Sequence, residues 1–471
     1  MRSLLIQSAM PFDIYRRTLA AAPVAPSLAM AALAGATVEA GHSPRIVDCS
    51  PFVADESALP DQLINDPPEI VGLTAYTAAF PSVPKIVARV AALSPNAKIV
   101  LGGVHATVLP RASLIESGAH AVVIGEGERT WQDLLRGVAW RDIPGLLWRD
   151  GLKIVTNPPR ERIADLDQLP FPDYSAFNLK RYDRPQLFWK KRRIANCETS
   201  RGCPFHCTFC SSNAVFGRRW RAKSPGRVIE ELRRLAAIGF EEVHFQDDGF
   251  TTDLERAKEI CRLLVNQPLK LVWELKNGIR AERTDREFFR LARRAGCYRI
   301  QFGIETGDPL VLEAIGKHEL LSQFKTAVRL CRQAGIESLA LFILGLPEDT
   351  KASLKKTARF ARRLRPDFAR ASILSPFPGT AIYQQWKNEG RLTTTDWSQF
   401  NFHQYSIAFR HPRLDAVTIQ NAYRRFYRGF YWRVGYFAQR LYRGLRRGSL
   451  GRDLRYFLAK FVFSSPENGP V

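Results

Sequence analysis

The stretch Ser200-Arg201-Gly202-Cys203-Pro204-Phe205-His206-Cys207-Thr208-Phe209-Cys210 places three cysteines in one loop, at the spacing C-x3-C-x2-C. The loop follows a short strand-like run, Arg193-Ile194-Ala195-Asn196-Cys197. Three thiolates can each hold one iron of a [4Fe-4S] cube and leave the fourth iron without a protein ligand. An open metal position lets a substrate or cofactor bind, whereas a closed site only holds structure. The spacing therefore predicts a reactive iron–sulfur centre held by Cys203, Cys207 and Cys210.

A structural zinc site is the alternative use of these cysteines, because cysteines in a reducing compartment often bind zinc. Cys197 or His206 could supply the fourth ligand that zinc needs. Zinc ligands usually come as two short cysteine pairs, however, and the sequence has no second pair. The remaining cysteines stand singly in apolar surroundings, as small buried hydrophobic residues do: Cys49, Cys261, Cys297 and Cys331. The segments further along the chain favour the cluster.

Length and composition are those of a globular protein. The chain has 471 residues, enough for two or three domains, with 45% hydrophobic and 24% charged residues. No apolar run reaches the length of a membrane span, and the opening segment is too short for a signal peptide. The eight cysteines form no disulfide framework, which fits a reducing interior. We therefore expect a cytoplasmic protein.

Residues 1–140 alternate short apolar strands with helices, which is typical of a doubly wound parallel sheet of the Rossmann type. Ligands of such sheets bind at the carboxyl ends of the strands. Loops of small residues follow three strands there: Thr74-Ala75-Tyr76-Thr77, Gly102-Gly103-Val104-His105-Ala106 and Gly125-Glu126-Gly127-Glu128. Glycine lets a bulky ligand approach the backbone, although tight strand-to-helix turns also favour glycine.

The rest of the chain divides into three parts. Residues 141–190 are rich in proline and charge, so we expect a linker with little regular structure. Over residues 191–395 a strand–helix unit repeats six times, which predicts a partial (β/α)6 barrel with its active site at the carboxyl ends of the strands. Residues 396–471 form a helical region that is basic and aromatic.

The cysteine loop and the barrel pattern together resemble the radical S-adenosylmethionine (SAM) superfamily. In that superfamily the amino and carboxylate groups of SAM chelate the open iron, and an electron from the cube releases a 5′-deoxyadenosyl radical. The resemblance implies SAM contacts near the strand ends: Phe209, Gln246, Asp247, Asp248, Arg280, Glu305, Gly345 and Pro376. Asp247 and Asp248 would face the amino group of SAM, and Arg280 its carboxylate. Glu305 would contact the ribose or methionyl end, while Gly345 and Pro376 would pack on adenine.

The N-terminal loops resemble the cobalamin-binding domain that precedes the barrel in many radical SAM enzymes. The resemblance covers residues 1–140 and implies the following cobalamin contacts: Thr74, Tyr76, Thr77, Gly102, Gly103, His105, Gly125, Glu126 and Gly127. The Asp-x-His-x-x-Gly motif that supplies a histidine to cobalt in some B12 proteins is absent, and the first loop reads Ser8-Ala9-Met10-Pro11-Phe12-Asp13. We therefore expect no axial histidine from that motif. His105 is the nearest alternative, although a histidine in a turn more often has a structural role.

These resemblances imply an enzyme that uses a [4Fe-4S] cluster, SAM and cobalamin, with an electron donor of the flavodoxin or ferredoxin type. The family's usual reaction is methylation of an unactivated carbon or of phosphorus, here in a small or lipid-like substrate. Radical cyclisation or oxidation without methyl transfer is the alternative. A nucleic-acid-modifying enzyme is a further alternative, but a tRNA methylthiotransferase should carry a second three-cysteine set, and residues 1–140 contain only Cys49. We therefore do not expect a nucleic-acid partner.

The net charge of +23 is the unusual property of the composition. Between Pro412 and Lys460, twelve basic residues stand against two acidic ones, which indicates an anionic partner. An aromatic stripe at helical spacing runs from Tyr423 to Tyr431 in the same region. Core packing is its ordinary explanation. Attachment to the inner face of a membrane and stacking on nucleic acid are the alternatives.

Overall fold

The computed structural model describes residues 1–9, 24–50, 53, 59–184, 188–402 and 407–457. Strands and helices alternate in the first part of the chain: β1 (Ser3–Gln7), α1 (Leu28–Glu39), β2 (Ile46–Asp48), α2 (Leu59–Ile64), β3 (Ile70–Thr74), α3 (Val83–Leu93), β4 (Lys98–Gly102), α4 (Val104–Val108), α5 (Pro110–Ser117), β5 (Ala121–Val123), α6 (Glu128–Leu135), β6 (Leu146–Asp150) and β7 (Lys153–Thr156).

The first sheet has the strand order β2-β1-β3-β4-β5-β6-β7, and its first five strands are parallel. Their apolar runs are buried because helices cover both faces of the sheet, as at Leu4, Leu5 and Ile6. The strand order reverses between β1 and β3, because β2 lies on one side of β1 and β3, β4 and β5 follow on the other. In an open α/β sheet, such a reversal opens a crevice for a ligand at the carboxyl ends of the strands.

The prediction of little regular structure in residues 141–190 is wrong in its first part. Strands β6 and β7 form an antiparallel hairpin that extends the first sheet beyond β5. Leu146 and Leu147 are buried against the sheet, and Gly151 closes the turn in the left-handed region, with φ of 58°. The prolines that suggested a linker lie after this hairpin. We propose that the first domain ends after β7 rather than near residue 140.

The second sheet is a six-stranded parallel sheet in the order β15-β14-β13-β12-β11-β8, open between β15 and β8 in the described ranges. The elements of this part of the chain are β8 (Ile194–Cys197), β9 (Ser200–Arg201), α7 (Ser212–Val215), β10 (Arg221–Ala222), α8 (Pro225–Ile238), β11 (Glu242–Phe245), α9 (Leu254–Asn266), β12 (Val272–Ile279), α10 (Arg286–Arg294), β13 (Cys297–Glu305), α11 (Pro309–Ala314), α12 (Leu321–Gln333), β14 (Glu337–Leu344), α13 (Lys351–Leu364), β15 (Phe368–Ile373) and α14 (Ala381–Asn388). Strands β9 and β10 pair with each other as a separate two-stranded antiparallel sheet. The partial six-stranded barrel is confirmed.

Three helices end the described chain: α15 (Ala416–Tyr431), α16 (Val434–Arg447) and α17 (Leu450–Phe457). The aromatic stripe of α15 is buried along the open edge of β15, so core packing is the correct alternative. The Tyr427 hydroxyl donates to the carbonyl of Ala371 at 2.9 Å and accepts from its N–H at 3.1 Å. Tyr431 makes the same pair of hydrogen bonds with Ala369. These hydroxyls supply hydrogen-bond partners to backbone N–H and C=O groups of the edge strand β15, which would otherwise be unpaired.

Candidate active site

The three cysteines of the loop lie at the carboxyl end of the barrel, between β9 and α7. Cys203 and Cys207 are partly buried and Cys210 is exposed. Partial burial raises the pKa of the Cys203 and Cys207 thiols, and the charges of Lys317 and Arg280 oppose that rise. Cationic side chains beside three neighbouring thiols suit a cluster whose thiolates carry negative charge. The residues present therefore fit the [4Fe-4S] cube predicted from their spacing.

The zinc alternative finds no support in the geometry. Cys197 is buried in β8, with its Sγ 3.8 Å from the Glu231 carboxylate. Across the described ranges, no group of three or more His, Cys, Asp or Glu side chains converges on one ion.

Asp247 fastens the base of the cysteine loop. Its buried carboxylate accepts hydrogen bonds from the Thr199 N–H at 3.0 Å, the Thr199 hydroxyl at 2.6 Å and the Ser200 hydroxyl at 2.7 Å. These hydrogen bonds give the carboxylate a structural use, and its contact with the SAM amino group stays a prediction. The neighbouring Asp248 lies closer to the cysteines, and its carboxylate accepts from the Ser212 hydroxyl at 2.5 Å.

Arg280 also holds the loop in place. Its guanidinium lies 3.7 Å from the ring centroid of Phe205, within the cysteine loop. It donates to the Lys317 carbonyl at 2.6 Å and to Glu282 at 2.9 Å. These contacts with the protein use much of the hydrogen-bonding capacity of the Arg280 guanidinium. Binding of the SAM carboxylate would therefore depend on the guanidinium N–H groups that remain.

Glu305 ends β13 with a backbone φ of 67°, which a non-glycine residue rarely adopts. Its carboxylate pairs with the Lys317 ammonium at 3.4 Å, and burial raises the pKa of Glu305. A Cβ on Gly303 would lie 2.6 Å from the Glu305 carboxylate, so this glycine makes room for the pair. Strained backbone beside a buried ion pair is typical of a functional site.

Lys317 is the residue that sequence reasoning missed. It contacts Glu305 and Glu319, and its charge acts on Cys207. Lys317 follows the short helix α11 rather than a strand. It was not predicted because the expected SAM contacts lie at the ends of strands. The signal that would have found it is Gly316-Lys317-His318-Glu319, a charged turn behind the fourth barrel strand.

The other predicted SAM residues lie around the same opening with different surroundings. Gln246 follows β11 and donates to the Asn196 side chain at 2.7 Å. Phe209 is partly buried against the core. Gly345 has φ of 86°, and Ile419 of α15 would lie 3.3 Å from a Cβ there, so apolar groups line that side. Pro376 is buried after β15. Their contacts with SAM remain predictions.

The crevice of the first sheet has features that fit a bulky ligand. Ser8 is fully buried at the end of β1, and its hydroxyl has no hydrogen-bond partner within the described ranges. A Cβ on Gly102 or on Gly125 would meet no atom within 4 Å, so both glycines border open space. Tyr76 is 51% exposed beside them. The loop predicted to begin at Ser8 lies largely outside the described residues.

His105 is enclosed in protein rather than turned toward the crevice. It is 1% exposed, its Nδ1 lies 3.3 Å from the Thr77 hydroxyl, and its ring packs on Phe80 and Trp397. Burial lowers the pKa of His105 to about 4. This environment agrees with the structural role, and the cobalamin contact of this imidazole stays a prediction. Nearby, a Cβ on Gly103 would lie 2.4 Å from the Thr74 hydroxyl, which shows how closely these loops pack.

Glu126 joins the loop after β5 to the two-stranded sheet of β9 and β10. Its buried carboxylate pairs with Arg201 of β9 at 2.9 Å and with Arg221 of β10 at 2.9 Å. Glu128 also pairs with Arg201, at 2.6 Å. The contact of Glu126 with cobalamin stays a prediction. The loop Gly125 to Gly127 is tied directly to the strand that leads into the cysteine loop.

The carboxyl ends of the two sheets face each other. A Cβ on Gly379, in the loop after β15, would lie 2.8 Å from Val108 of α4 and 2.9 Å from Ala214 of α7. Helix α4 after β4, helix α7 after the cysteines and the loop at the end of the barrel therefore meet at Gly379. Ligands at the carboxyl ends of both sheets would share one cleft.

Comparison with known families and proteins supports both halves of this site. Residues 197–361 match the radical SAM superfamily, and residues 18–135 match the B12 binding domain. The "Uncharacterized methyltransferase PH0819" of Pyrococcus horikoshii is 31% identical over 395 residues, 81% of this chain and 84% of that protein.

Two further similarities extend over most of the chain. The anaerobic magnesium-protoporphyrin IX monomethyl ester cyclase of Cereibacter sphaeroides is 30% identical over 416 residues, 84% of this chain and 66% of that protein. The structure of the cobalamin-dependent SAM radical enzyme OxsB, with aqua-cobalamin and SAM bound, has a TM-score of 0.74 at 17% identity, over 98% of this chain and 72% of that one.

Proposed function

Because the chain belongs to the family of cobalamin-dependent radical SAM enzymes, we propose that it methylates an unactivated carbon or phosphorus centre of its substrate. When bound, the cluster and SAM supply a 5′-deoxyadenosyl radical, and cobalamin supplies a methyl carrier. The observation that carries the proposal is that the ends of the two sheets meet where Gly379 packs on α4 and α7, with Glu126 of the first domain paired to Arg201 and Arg221. Close and fixed placement of reactants is what a radical relay requires.

The protein's own residues would hold and orient the cofactors. Cys203, Cys207 and Cys210 would ligate the cluster, and Asp247 would fix the loop that carries them. Asp248 would face the SAM amino group, since its carboxylate lies beside the cysteines and Asp247 is occupied. The backbone of the glycine-rich turns and the Ser8 hydroxyl would border the corrin. We expect the Glu305–Lys317 pair to set the charge around SAM.

Cyclisation or oxidation without methyl transfer is the second candidate, favoured by the similarity to the tetrapyrrole cyclase. The products of SAM distinguish the two candidates. The anaerobically purified holoprotein would be reduced chemically in the presence of SAM, and S-adenosylhomocysteine and 5′-deoxyadenosine would be quantified. Methyl transfer predicts both products, and in Cys210→Ala 5′-deoxyadenosine should disappear. Formation of 5′-deoxyadenosine without S-adenosylhomocysteine would contradict the methyltransferase and favour the second candidate.

Two partners follow from the charge and the chemistry. Radical formation needs a single-electron donor, and the net charge of +23 suits an acidic protein of the flavodoxin or ferredoxin type. Nucleic acid is a poor fit, because the aromatic rings of α15 that would stack on bases are buried. In the described part of the chain, every helix is too short or too polar to cross a bilayer.

Peripheral membrane contact would use α16 rather than the buried stripe of α15. Val434, Phe437, Leu441 and Leu445 recur at helical spacing and are all exposed, Val434 by 87% and Leu445 by 65%. Exposed arginines on the neighbouring helix α15 would meet anionic headgroups: Arg424, Arg425 and Arg428. The charge favours an anionic bilayer as the occupant of this face.

Vesicle sedimentation of the full chain tests this contact. Replacement of Leu441 and Leu445 by serine should abolish binding to anionic vesicles, whereas Leu310→Ser, at an exposed leucine of the barrel, should not. Truncation before α15 is unsuitable, because it would uncover β15. Equal binding by all variants, or no preference for anionic over neutral vesicles, would refute the contact.

A further inference from the structure

A basic turn lies between α7 and β10, shortly after the cysteine loop. From residue 211 to residue 229 the sequence contains five basic residues and no acidic one. Three of the five form ion pairs with buried carboxylates of the protein: Arg221, Lys223 and Arg227. The other two, Arg218 and Arg219, are exposed. The turn therefore presents two guanidinium groups to solvent.

The positive charge of this turn is not neutralised within the described structure. Arg162 adds a third exposed cation beside it, because a Cβ on Gly217 would lie 2.7 Å from the Arg162 guanidinium carbon. We call Arg162, Arg218 and Arg219 the arginine patch. Their guanidinium groups form no ion pair or hydrogen bond with any described residue. Neighbouring charges of one sign create a potential that attracts a partner of the opposite sign.

The arginine patch is joined to the first cysteine of the loop. The Cys203 N–H donates to the Gly217 carbonyl at 3.3 Å. A Cβ on Gly202 would lie 2.5 Å from the Arg219 carbonyl, so the two backbones are in contact. Gly202 has φ of 83°, a conformation that glycine adopts without strain. One hydrogen bond therefore connects the turn to a predicted ligand of the cluster.

A protein can reach this surface from solvent. Pro204, next to Cys203, is exposed together with the arginine patch. An apolar contact with polar groups around it is typical of protein interfaces, in which arginine is enriched and lysine is depleted. A partner that contacts the exposed arginines need not enter the cleft, which begins where Gly379 packs on Ala214 of α7. The substrate and the partner would therefore not compete for one space.

The chemistry of the proposed function requires a partner of one kind. Reductive cleavage of SAM consumes one electron. That electron leaves a reduced carrier, which is thereby oxidised by one electron, and the oxidised cluster accepts it, while no bond of this chain forms or breaks. From the arginine patch, the path to the Cys203 thiolate runs through the Gly217 carbonyl and the hydrogen bond from the Cys203 N–H. Charge complementarity selects an acidic carrier for this surface.

We propose that Arg162, Arg218 and Arg219 form the docking surface for an acidic one-electron carrier protein that reduces the cluster. This inference rests on the proposed function, because the carrier supplies the electron that radical formation consumes. The net charge of +23 attracts acidic proteins to the whole chain. The hydrogen bond to Cys203 is what distinguishes the arginine patch from other exposed arginines.

Isothermal titration calorimetry of the full-length holoprotein with oxidised flavodoxin and with oxidised ferredoxin, both acidic carriers, measures the docking. We expect the wild type to bind at least one of them, more weakly as salt is added. Arg218→Glu combined with Arg219→Glu should weaken that binding by about tenfold or more. Lysine at both positions keeps the charge and should stay within a few-fold.

The matched control is Arg329→Glu combined with Arg332→Glu, which changes the net charge by the same amount. Both arginines are exposed in the second half of α12, which leads to the amino-terminal end of β14 and so to the opposite end of the barrel. This control should bind the carrier as the wild type does. Iron content and far-UV circular dichroism establish that each variant is folded and loaded.

SAM cleavage gives a second measurement that separates docking from chemistry. With the reduced carrier, the Arg218→Glu and Arg219→Glu double variant should release 5′-deoxyadenosine about tenfold more slowly than the wild type. Reduced methyl viologen is a small cation, so it gains nothing from a basic surface. With this reductant the double variant and the wild type should release 5′-deoxyadenosine at the same rate.

Several results would overturn the docking surface. Unchanged affinity in the Arg218→Glu and Arg219→Glu double variant would refute it, and an equal loss in the α12 control would show that only net charge attracts the carrier. Equally tight binding of ovalbumin, which is acidic but redox-inert, would refute recognition of a carrier. A wild type that cleaves SAM with methyl viologen but binds neither carrier would refute the docking surface alone. A wild type that binds a carrier but forms no S-adenosylhomocysteine would instead refute methyl transfer alone.

Discussion

At the residue scale, the cysteines differ in what surrounds them. Cys203, Cys207 and Cys210 share one loop near Arg280 and Lys317, whereas Cys197 lies in the core beside Glu231. Alanine at any of the three loop positions should reduce iron content and abolish SAM cleavage, because the cluster is bound stably only when all three thiolates ligate it. Cys197→Ala should retain the iron content and the cleavage of SAM, as measured by iron analysis and 5′-deoxyadenosine release. Equal loss of iron in Cys197→Ala would refute the three-ligand assignment.

His105 should make stability depend on pH. Its folded-state pKa of about 4 lies below the ordinary value of 6.5, so the unfolded chain takes up a proton first as pH falls. Stability is therefore lost between pH 6.5 and pH 4, by about 2 kcal/mol from pH 7 to pH 5. His105→Gln should remove this part of the dependence in urea unfolding, whereas the exposed His318→Asn should retain it. An identical pH dependence in His105→Gln would contradict the buried, neutral imidazole.

The sequence predicted residue types better than residue roles. The spacing of the cysteines is local, and the structure keeps them together in one loop. The roles of Asp247 and Glu126 depend on distant partners, Thr199 and Arg221, that no local pattern brings together. Both carboxylates were predicted to contact cofactors, and the structure shows that each also holds protein segments together.

At the element scale, the tyrosines of α15 should stabilise the barrel. Phenylalanine at Tyr427 or Tyr431 would leave a buried N–H and C=O of β15 unpaired, at a cost of about 1–3 kcal/mol each. Tyr442→Phe, at an exposed tyrosine of α16, should change stability by less than about 0.5 kcal/mol. Urea unfolding compares the three variants. An equal effect of all three would show that the hydroxyls do not satisfy the strand.

Elements with strong local signals were predictable. Helix α8 begins at the Ser224 cap with Pro225 in its first turn, and ends at Gly239 with φ of 98°. Periodicity also located the barrel strands to within a few residues. The β6–β7 hairpin was missed because nearby prolines dominated the pattern. The burial of α15 was left open, since an aromatic stripe has the same periodicity against a core or a membrane.

At the scale of the whole molecule, Glu126 should determine how firmly the first sheet is joined to the β9–β10 sheet that leads into the cysteine loop. Glu126→Gln would leave Arg221 buried without its carboxylate partner, a loss of about 3 kcal/mol. Glu230→Gln removes an exposed pair with Arg233 and should cost no more than about 1 kcal/mol. Thermal unfolding measures both. A cost at Glu126 no larger than that at Glu230 would show that the junction does not depend on this pair.

We propose that the carboxyl ends of both sheets form one cleft for the cluster and the corrin. Electron paramagnetic resonance of the full-length holoprotein, with cobalt as Co(II) and the cluster reduced, tests this arrangement directly. We expect a dipolar interaction between the two centres that disappears in Cys207→Ala. We also expect a cobalt signal without the nitrogen splitting of an axial imidazole, because His105 is enclosed by Phe80 and Trp397. Two independent signals from a fully loaded protein would contradict the shared cleft.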